Sequence, residues 1–289
     1  MLISKKFNLA SAIKKNYLGY FFIFLFCIAA TTSIACSGLA KKAVSLSAGI
    51  PFNYPGLRIE TRSYKPSDME TFKPLIVCFG DSVTFGWNLE YKLSYPAQLE
   101  AQLKEKYANV KVVNCGVGGN TVIDGIKRLK RDIISYNPDT VIINFGLNDG
   151  MLQKSKGPSI PDDDLYYSDG GEVFIPAISI DVFEKKYIEM LGKLKSENIN
   201  TIVLGITPII DGFNPENNIE ITRKQKEIYY VYNERVISAA STYGLKYIDI
   251  SRIFKEYEGG AGSLMQQDGI HPERKGLKLI ADILLEYFI

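Results

Sequence analysis

Histidine is nearly missing from this chain: His271 is the sole imidazole among 289 residues. Any site that needs two or more imidazoles is thereby excluded, which removes His-rich zinc and non-haem iron centres. A basic excess is missing as well. The formal charge is +2, and Lys5, Lys6, Lys14 and Lys15 all fall in the first 36 residues, where no acid occurs, so the rest of the chain is net −2. A phosphate-binding face needs a local surplus of Lys and Arg, so nucleic acid is not expected as a partner. Cysteine is scarce. Cys27 and Cys36 lie near the start, and Cys78 and Cys115 sit in apolar runs, where two buried thiols are read in preference to a disulfide between them, without disulfide-framework or Cys-metal spacing. What remains is 46% hydrophobic and 23% charged, with 24 Gly and 12 Pro, the composition of an ordinary folded globular protein.

The one long uncharged stretch is N-terminal. Lys14 and Lys15 are followed by LGYFFIFLFCIAA and the small residues TTSIACSG, the layout of a basic n-region and apolar h-region in an export signal. Three readings fit: lipoprotein processing that leaves Cys36 as a lipid-bearing first residue, cleavage after Ala35 by a general signal peptidase, or an uncleaved anchor. The first is put ahead, although Ser33 stands where lipoprotein signals usually carry Leu. The anchor is disfavoured because its apolar centre, residues 18–30, is short against the ~20 residues that span a bilayer. All three place the body outside the cytoplasm, periplasmic or at the cell surface, with membrane contact only through this segment. Residues 1–36 therefore read as a signal, 37–73 as a polar connector, and 74–289 as the folded domain.

In that domain, short apolar runs alternate with longer amphipathic stretches: PLIVCFG (74–80), VKVVNCG (110–116), TVIINFG (140–146), TIVLGITPI (201–209) and KYIDI (246–250). Alternation of this kind implies βαβ units, and continuous apolar runs imply parallel strands covered on both faces. Val122, Ile123, Ile126, Leu129 and Ile133 repeat at helical spacing, as do Phe183, Tyr187, Met190, Leu191 and Leu194, with Asp181 and Glu184 expected as a capping box. Leu277, Ile280, Leu284 and Phe288 predict a closing helix. Residues 150–180 are rich in Gly, Pro, Asp and Ser and are expected to be an insertion without clear structure. Asp162, Asp163 and Asp164 there are read as solvated surface in preference to a calcium site. Tyr166, Tyr167 and Phe174 are read as a small satellite core in preference to a sugar platform.

Ligands of open α/β sheets bind beyond the carboxyl ends of the strands. The strands deliver FGDSVTFG, NCGVGGNT and FGLNDG to that edge, and the segment after the fifth carries QDGIHP. A serine hydroxyl is a poor nucleophile until an imidazole takes its proton, and His271 is the sole candidate base for Ser82. Asp268, three residues earlier, is placed to accept the Nδ1 proton. On spacing alone, a turn serine is as good a reading, since Gly-Asp-Ser suits turns. An acyl-transfer site also needs oxyanion donors: Gly119 offers an unobstructed backbone N–H, Asn148 a side-chain amide and Ser82 its own backbone N–H. The glycine run lacks the Lys and spacing of a P-loop and the full dinucleotide fingerprint. Trp87, five residues past Ser82, is read equally as a pocket wall or as an aromatic packed under a loop.

Taken in order, GDS, the glycine run, GLND and DGIHP resemble the four blocks of the SGNH hydrolases, also called the GDSL esterase/lipase family, over about residues 74–289. The resemblance implies a flavodoxin-like three-layer α/β/α sandwich with a five-stranded parallel sheet. It further implies hydrolysis of an ester or thioester with no metal or other cofactor. On this mapping Ser82 is the nucleophile, Asp268 and His271 complete the triad, and Ser82, Gly119 and Asn148 form the oxyanion hole. Gly119 is chosen over Gly116 and Gly118 because the family's glycine follows the strand's Asn by several residues. The expected activity is removal of an acyl group, above all acetyl, from a carbohydrate. An acyltransferase, a lipid-directed esterase or lysophospholipase, a non-catalytic glycan-binding lipoprotein and a flavin-binding protein are the alternatives.

Overall fold

The computed structural model describes Met69 and residues 71–157, 163–210 and 219–289. The signal, Cys27 and Cys36, the connector up to residue 68 and Asp162 lie outside the described residues.

The five apolar runs form five parallel strands: β1 (Leu75–Gly80), β2 (Lys111–Gly116), β3 (Thr140–Asn144), β7 (Asn200–Leu204) and β8 (Lys246–Ile248), in spatial order β2-β1-β3-β7-β8. Every residue of β1 and β3 is buried. Such burial explains why these runs carry Val, Ile and Leu on successive positions without alternation. Between the strands run α1 (Ser82–Phe85), α2 (Tyr95–Leu103), α3 (Val122–Asp132), α4 (Ile180–Ser196), α5 (Ile219–Thr242), α6 (Ile250–Glu256) and α7 (Arg274–Leu285). Helices α2 and α7 pack on each other, and α3 packs on α4 and α4 on α5, which gives the expected three-layer α/β/α sandwich. With the insertion set aside, the order is the flavodoxin-like 2-1-3-4-5, whose direction reverses between β1 and β3.

The core extends ahead of Pro74: Met69 is buried and Phe72 packs against the same cluster. Cys78 pairs in register with Asn114, and Phe79 with Cys115. Side chains alternate along a strand, so the two thiols face opposite sides of the sheet and stay free.

Three expectations are corrected. The described residues within 150–180 are not structureless, for β4 (Leu152–Lys154), β5 (Tyr167–Asp169) and β6 (Glu172–Pro176) form an antiparallel sheet in the order β4-β6-β5. Within it Tyr167 and Phe174 face each other across the strands at 6.1 Å, two of the three aromatics expected to cluster there. Asp181 and Glu184 do not cap α4: the N-cap is Ser179, and Asp181 lies in the first turn, where a carboxylate meets the positive helix end. Phe288 lies past the end of α7. The capping box that does form is Thr121 with Asp124, at the start of α3.

Candidate active site

The site begins with strand register. Gly80 is paired with both Gly116 and Asn144, so β1, β2 and β3 end level and residues 81–82, 117–121 and 145–149 start from one height beside the reversal point. After β1 the chain turns at once into α1. Asp81 caps this helix, its Oδ1 accepting the Val83 N–H at 2.9 Å. Burial pushes the Asp81 carboxyl up to about 7, against the opposing pull of the Val83 N–H and the nearby His271 and Arg128. Ser82 is thus the first residue of a short helix at the head of the buried central strand, itself 4% exposed. Gly86 ends the helix with φ 84°, a left-handed turn in which a Cβ would stand 2.8 Å from Ser94 Cβ, and so sends Trp87 back over the strand ends.

The histidine arrives from the other end of the chain on a laced loop. Met265 and Pro272 form an antiparallel bridge, and Gln266 donates its backbone N–H to His271 O at 2.8 Å. The Gln266 side chain donates to Pro272 O at 2.9 Å and to Trp87 O at 2.8 Å, tying the loop to the Ser82 segment. Asp268 Oδ1 accepts the backbone N–H groups of Ile270 and His271 at 3.1 and 3.0 Å, leaving Oδ2 at 2.7 Å from His271 Nδ1. His271 Nε2 then lies 2.9 Å from Ser82 Oγ, 189 positions earlier in sequence. Partial burial works against the charged form of Asp268, but the His271 side chain and the two backbone N–H groups outweigh it and hold the carboxyl below its ordinary range. A carboxylate kept ionised at Nδ1 fixes the tautomer that leaves Nε2 free to take the serine proton.

Across the gap, Gly119 occupies the turn after β2 with φ 77°. Asn148 Nδ2 donates to Asn120 O at 3.0 Å, which holds this amide against the Gly119 turn. An amide NH₂ has two hydrogens, so one remains for an oxyanion. Gly116 already gives its N–H to Asn114 Oδ1 at 2.9 Å. The structure therefore brings Ser82, His271 and Asp268 into direct contact and draws Asn148 to the Gly119 turn.

Other residues hold this half of the site and escaped sequence reasoning. Asp149, fully buried, receives the Val122 N–H on both carboxylate oxygens at 2.9 and 3.2 Å and so locks the start of α3 to the Asn148 segment. Its carboxyl is pushed up to about 8, chiefly by burial and further by the charge of Asp81, with the Val122 N–H opposing. Arg128, 7% exposed, donates to Gly80 O at 2.8 Å, Cys115 O at 2.7 Å, Asn120 Oδ1 at 2.8 Å and Asp132 Oδ2 at 3.0 Å, its guanidinium 4.1 Å from the Phe79 ring centre. From α5, Tyr229 Oη donates to Leu147 O at 2.8 Å, and Gln225 bonds Gly150 O and the Leu152 N–H, both at 2.7 Å. The neighbours of Asn148 are thus pinned on either side. A signal was present for Arg128: a cation amid the apolar positions of an otherwise amphipathic helix.

Trp87 stacks on His271 with ring centres 5.8 Å apart and planes 27° from parallel. Among the described residues no group of three or more His, Cys, Asp or Glu side chains could hold a metal ion.

A Ser–His–Asp hydrogen-bonded relay at the carboxyl edge of a parallel α/β sheet fits the class of serine hydrolases that act on ester bonds. The chain belongs to the GDSL-like lipase/acylhydrolase family, whose model matches residues 78–279. It is 29% identical over 218 residues to an acetylxylan esterase of Xylanibacter ruminicola, spanning 72% of this chain but only 42% of that protein. It is 23% identical over 227 residues to the uncharacterized lipoprotein YqeF of Bacillus subtilis, with 71% of this chain and 85% of that one covered. Among solved structures, an acetyl xylan esterase shares the fold with a TM-score of 0.57 at 22% identity, covering 74% of this chain and all of that one.

Proposed function

We propose that this protein is an exported esterase that removes acetyl groups from a carbohydrate through an acyl-Ser82 intermediate. The observation that carries the reading is the unbroken relay Ser82 Oγ, His271 Nε2, His271 Nδ1, Asp268 Oδ2, with separations of 2.9 and 2.7 Å. The preference for an acetylated glycan draws support from the acetylxylan esterase among the relatives.

The relay supports the following steps. Ser82 Oγ attacks the ester carbonyl carbon while its proton passes to His271 Nε2. The carbonyl π pair moves onto oxygen, and the backbone N–H groups of Ser82 and Gly119 and the free hydrogen of Asn148 Nδ2 receive that oxyanion. Preorganised donors of this kind are each worth roughly 10²–10³ in rate. The intermediate collapses, the C–O bond to the sugar breaks, and the sugar oxygen takes the proton from Nε2. Water then gives a proton to Nε2 as it attacks the acyl-enzyme, and acetate leaves as Ser82 Oγ is reprotonated. Asp268 holds the imidazole and stabilises its charged form without taking its proton.

Export rests on the segment 1–36, with Cys36 as the lipid-bearing residue, and a lipoprotein among the relatives is consistent with that processing. Residues 37–68, ahead of the buried Met69, would tether the hydrolase to the membrane surface.

The deciding measurement is acetate release from acetylated xylan and from p-nitrophenyl acetate by the wild type, Ser82→Ala and His271→Ala. Each variant is expected to lose about 10⁴-fold or more in kcat; equal rates in wild type and Ser82→Ala would remove the acyl-enzyme from the reaction. A saccharide acceptor in the same assay separates hydrolysis from transfer. Radiolabelled palmitate incorporation that vanishes in Cys36→Ala reads out the lipid anchor.

A further inference from the structure

We propose that Trp87 is the specificity-determining residue that restricts the acyl group to a short chain. The inference rests on the esterase reading above and deepens it.

Three features converge on one spot. The left-handed turn at Gly86 redirects the chain just before Trp87, and Gln266 donates to the Trp87 carbonyl at 2.8 Å, so the backbone that carries the indole is fixed on both sides. Its ring stacks on the face of the His271 imidazole at 5.8 Å. Its six-membered ring also lies against Gly118: a Cβ at that position would stand 3.2 Å from Trp87 Cζ3, 3.4 Å from Cε3 and 4.0 Å from Ser82 Cβ. The indole therefore closes the volume bounded by the nucleophile, the imidazole face and the glycine turn.

The three substituents on the attacked carbon have separate needs. The oxyanion goes to the N–H donors at Gly119 and Ser82 and to Asn148. The leaving oxygen must sit at the Nε2 edge of the imidazole, because that edge returns the proton. Trp87 covers the ring face and leaves the Nε2 edge open to Ser82 Oγ, so the substituent it confronts is the acyl chain. A methyl group needs little room there, whereas each added methylene must displace the indole or turn outward. The absence of a side chain at Gly118 fits the same picture, since the space a Cβ would take is what lets the flat ring lie close.

The test is a chain-length series of p-nitrophenyl esters, acetate, butyrate, hexanoate and octanoate, with the leaving group held constant. Wild type is expected to lose about 10-fold or more in kcat/KM from acetate to butyrate, the scale on which pockets discriminate by methylenes. Trp87→Ala is expected to raise the hexanoate-to-acetate ratio of kcat/KM about 10-fold or more, with Trp87→Phe between. The ratio cancels any uniform loss from a less well-held imidazole. Gly118→Ala, which keeps the indole and adds a methyl against it, is expected to depress butyrate further relative to acetate, and it tests the idea even if Trp87→Ala folds poorly. Wild-type preference for acetate with an unchanged ratio in Trp87→Ala, or a uniform loss across the series, overturns the assignment while leaving the esterase reading intact. Wild-type preference for octanoate overturns the acetyl reading itself.

Discussion

The two halves of the site are built on opposite electrostatic terms. On the strand-end side, Asp81 and Asp149 are almost completely buried and their carboxyls are pushed up to about 7 and about 8, mainly by that burial. They serve as acceptors for the backbone N–H groups of Val83 and Val122. On the C-terminal loop side, Asp268 is less buried, and its ring and backbone donors keep it below the ordinary range. One pair of carboxyls shapes the chain at an electrostatic cost. The other carboxyl is maintained as an anion because the His271 ring and two backbone N–H groups donate to it. Carboxyls of one chemical type thus do scaffolding or charge stabilisation according to how far water is excluded from them.

The sharpest way to break this contrast is Asp268→Asn, which keeps the shape and removes the charge. The kcat for p-nitrophenyl acetate is expected to fall about 10³–10⁴-fold with little change in melting temperature; a near-normal kcat would mean that the loop needs no anion. Next in size is Arg128→Ala on the scaffold side. It strips donors from Gly80 O, Cys115 O and Asn120 and leaves Asp132 with Arg131 alone. A loss of about 3–5 kcal/mol is expected, lowering the melting temperature by roughly 6–20 °C as read by calorimetry.

The pH dependence of stability sharpens the contrast further. For Asp81 and Asp149 the folded value exceeds the ordinary 3.8, so the folded chain holds a proton that the unfolded chain has already released. The contribution of these two carboxyls to stability is full below about 4 and falls as pH rises towards 7 or 8. Asp268 has the opposite sign: its contribution is present above the ordinary carboxyl range and is lost as pH falls through its depressed folded value. Asp149→Asn is therefore expected to flatten the decline in unfolding free energy between pH 5 and pH 8, by an amount on the order of a few kcal/mol at most. Urea melts at the two pH values check it, and an unaltered slope would show that Asp149 does not titrate there. The smallest effect is expected from Thr121→Ala, which removes the capping box of α3: about 1 kcal/mol and a few degrees, with kcat/KM for p-nitrophenyl acetate reporting whether the glycine turn loosens with it.

The parallel sheet was legible because strands covered on both faces must be apolar at successive positions, as at Leu75 to Phe79 and Val141 to Ile143. The antiparallel insertion was not, because strands of three exposed or half-buried residues such as Leu152 to Lys154 are too short to display alternation. Helix α5 also escaped notice. Its buried stripe runs through Thr222, Gln225, Tyr229 and Tyr232, where hydrogen-bonding side chains that clamp the insertion mask the apolar period. At the site, Ser82, Asp268 and His271 could be named from short motifs whose members stand within a few residues of each other. Arg128 and Asp149 act on backbone groups up to 48 positions away, and no local pattern announces a partner that only folding supplies.

The hairpin that carries His271 fastens its own two ends through the Met265–Pro272 bridge and the Gln266 amide. A base mounted on such a self-closed clasp is insulated from the length of the chain on either side of it. Segments grafted ahead of Met265 would redraw the neighbouring surface while the His271 ring stayed within reach of Ser82 Oγ.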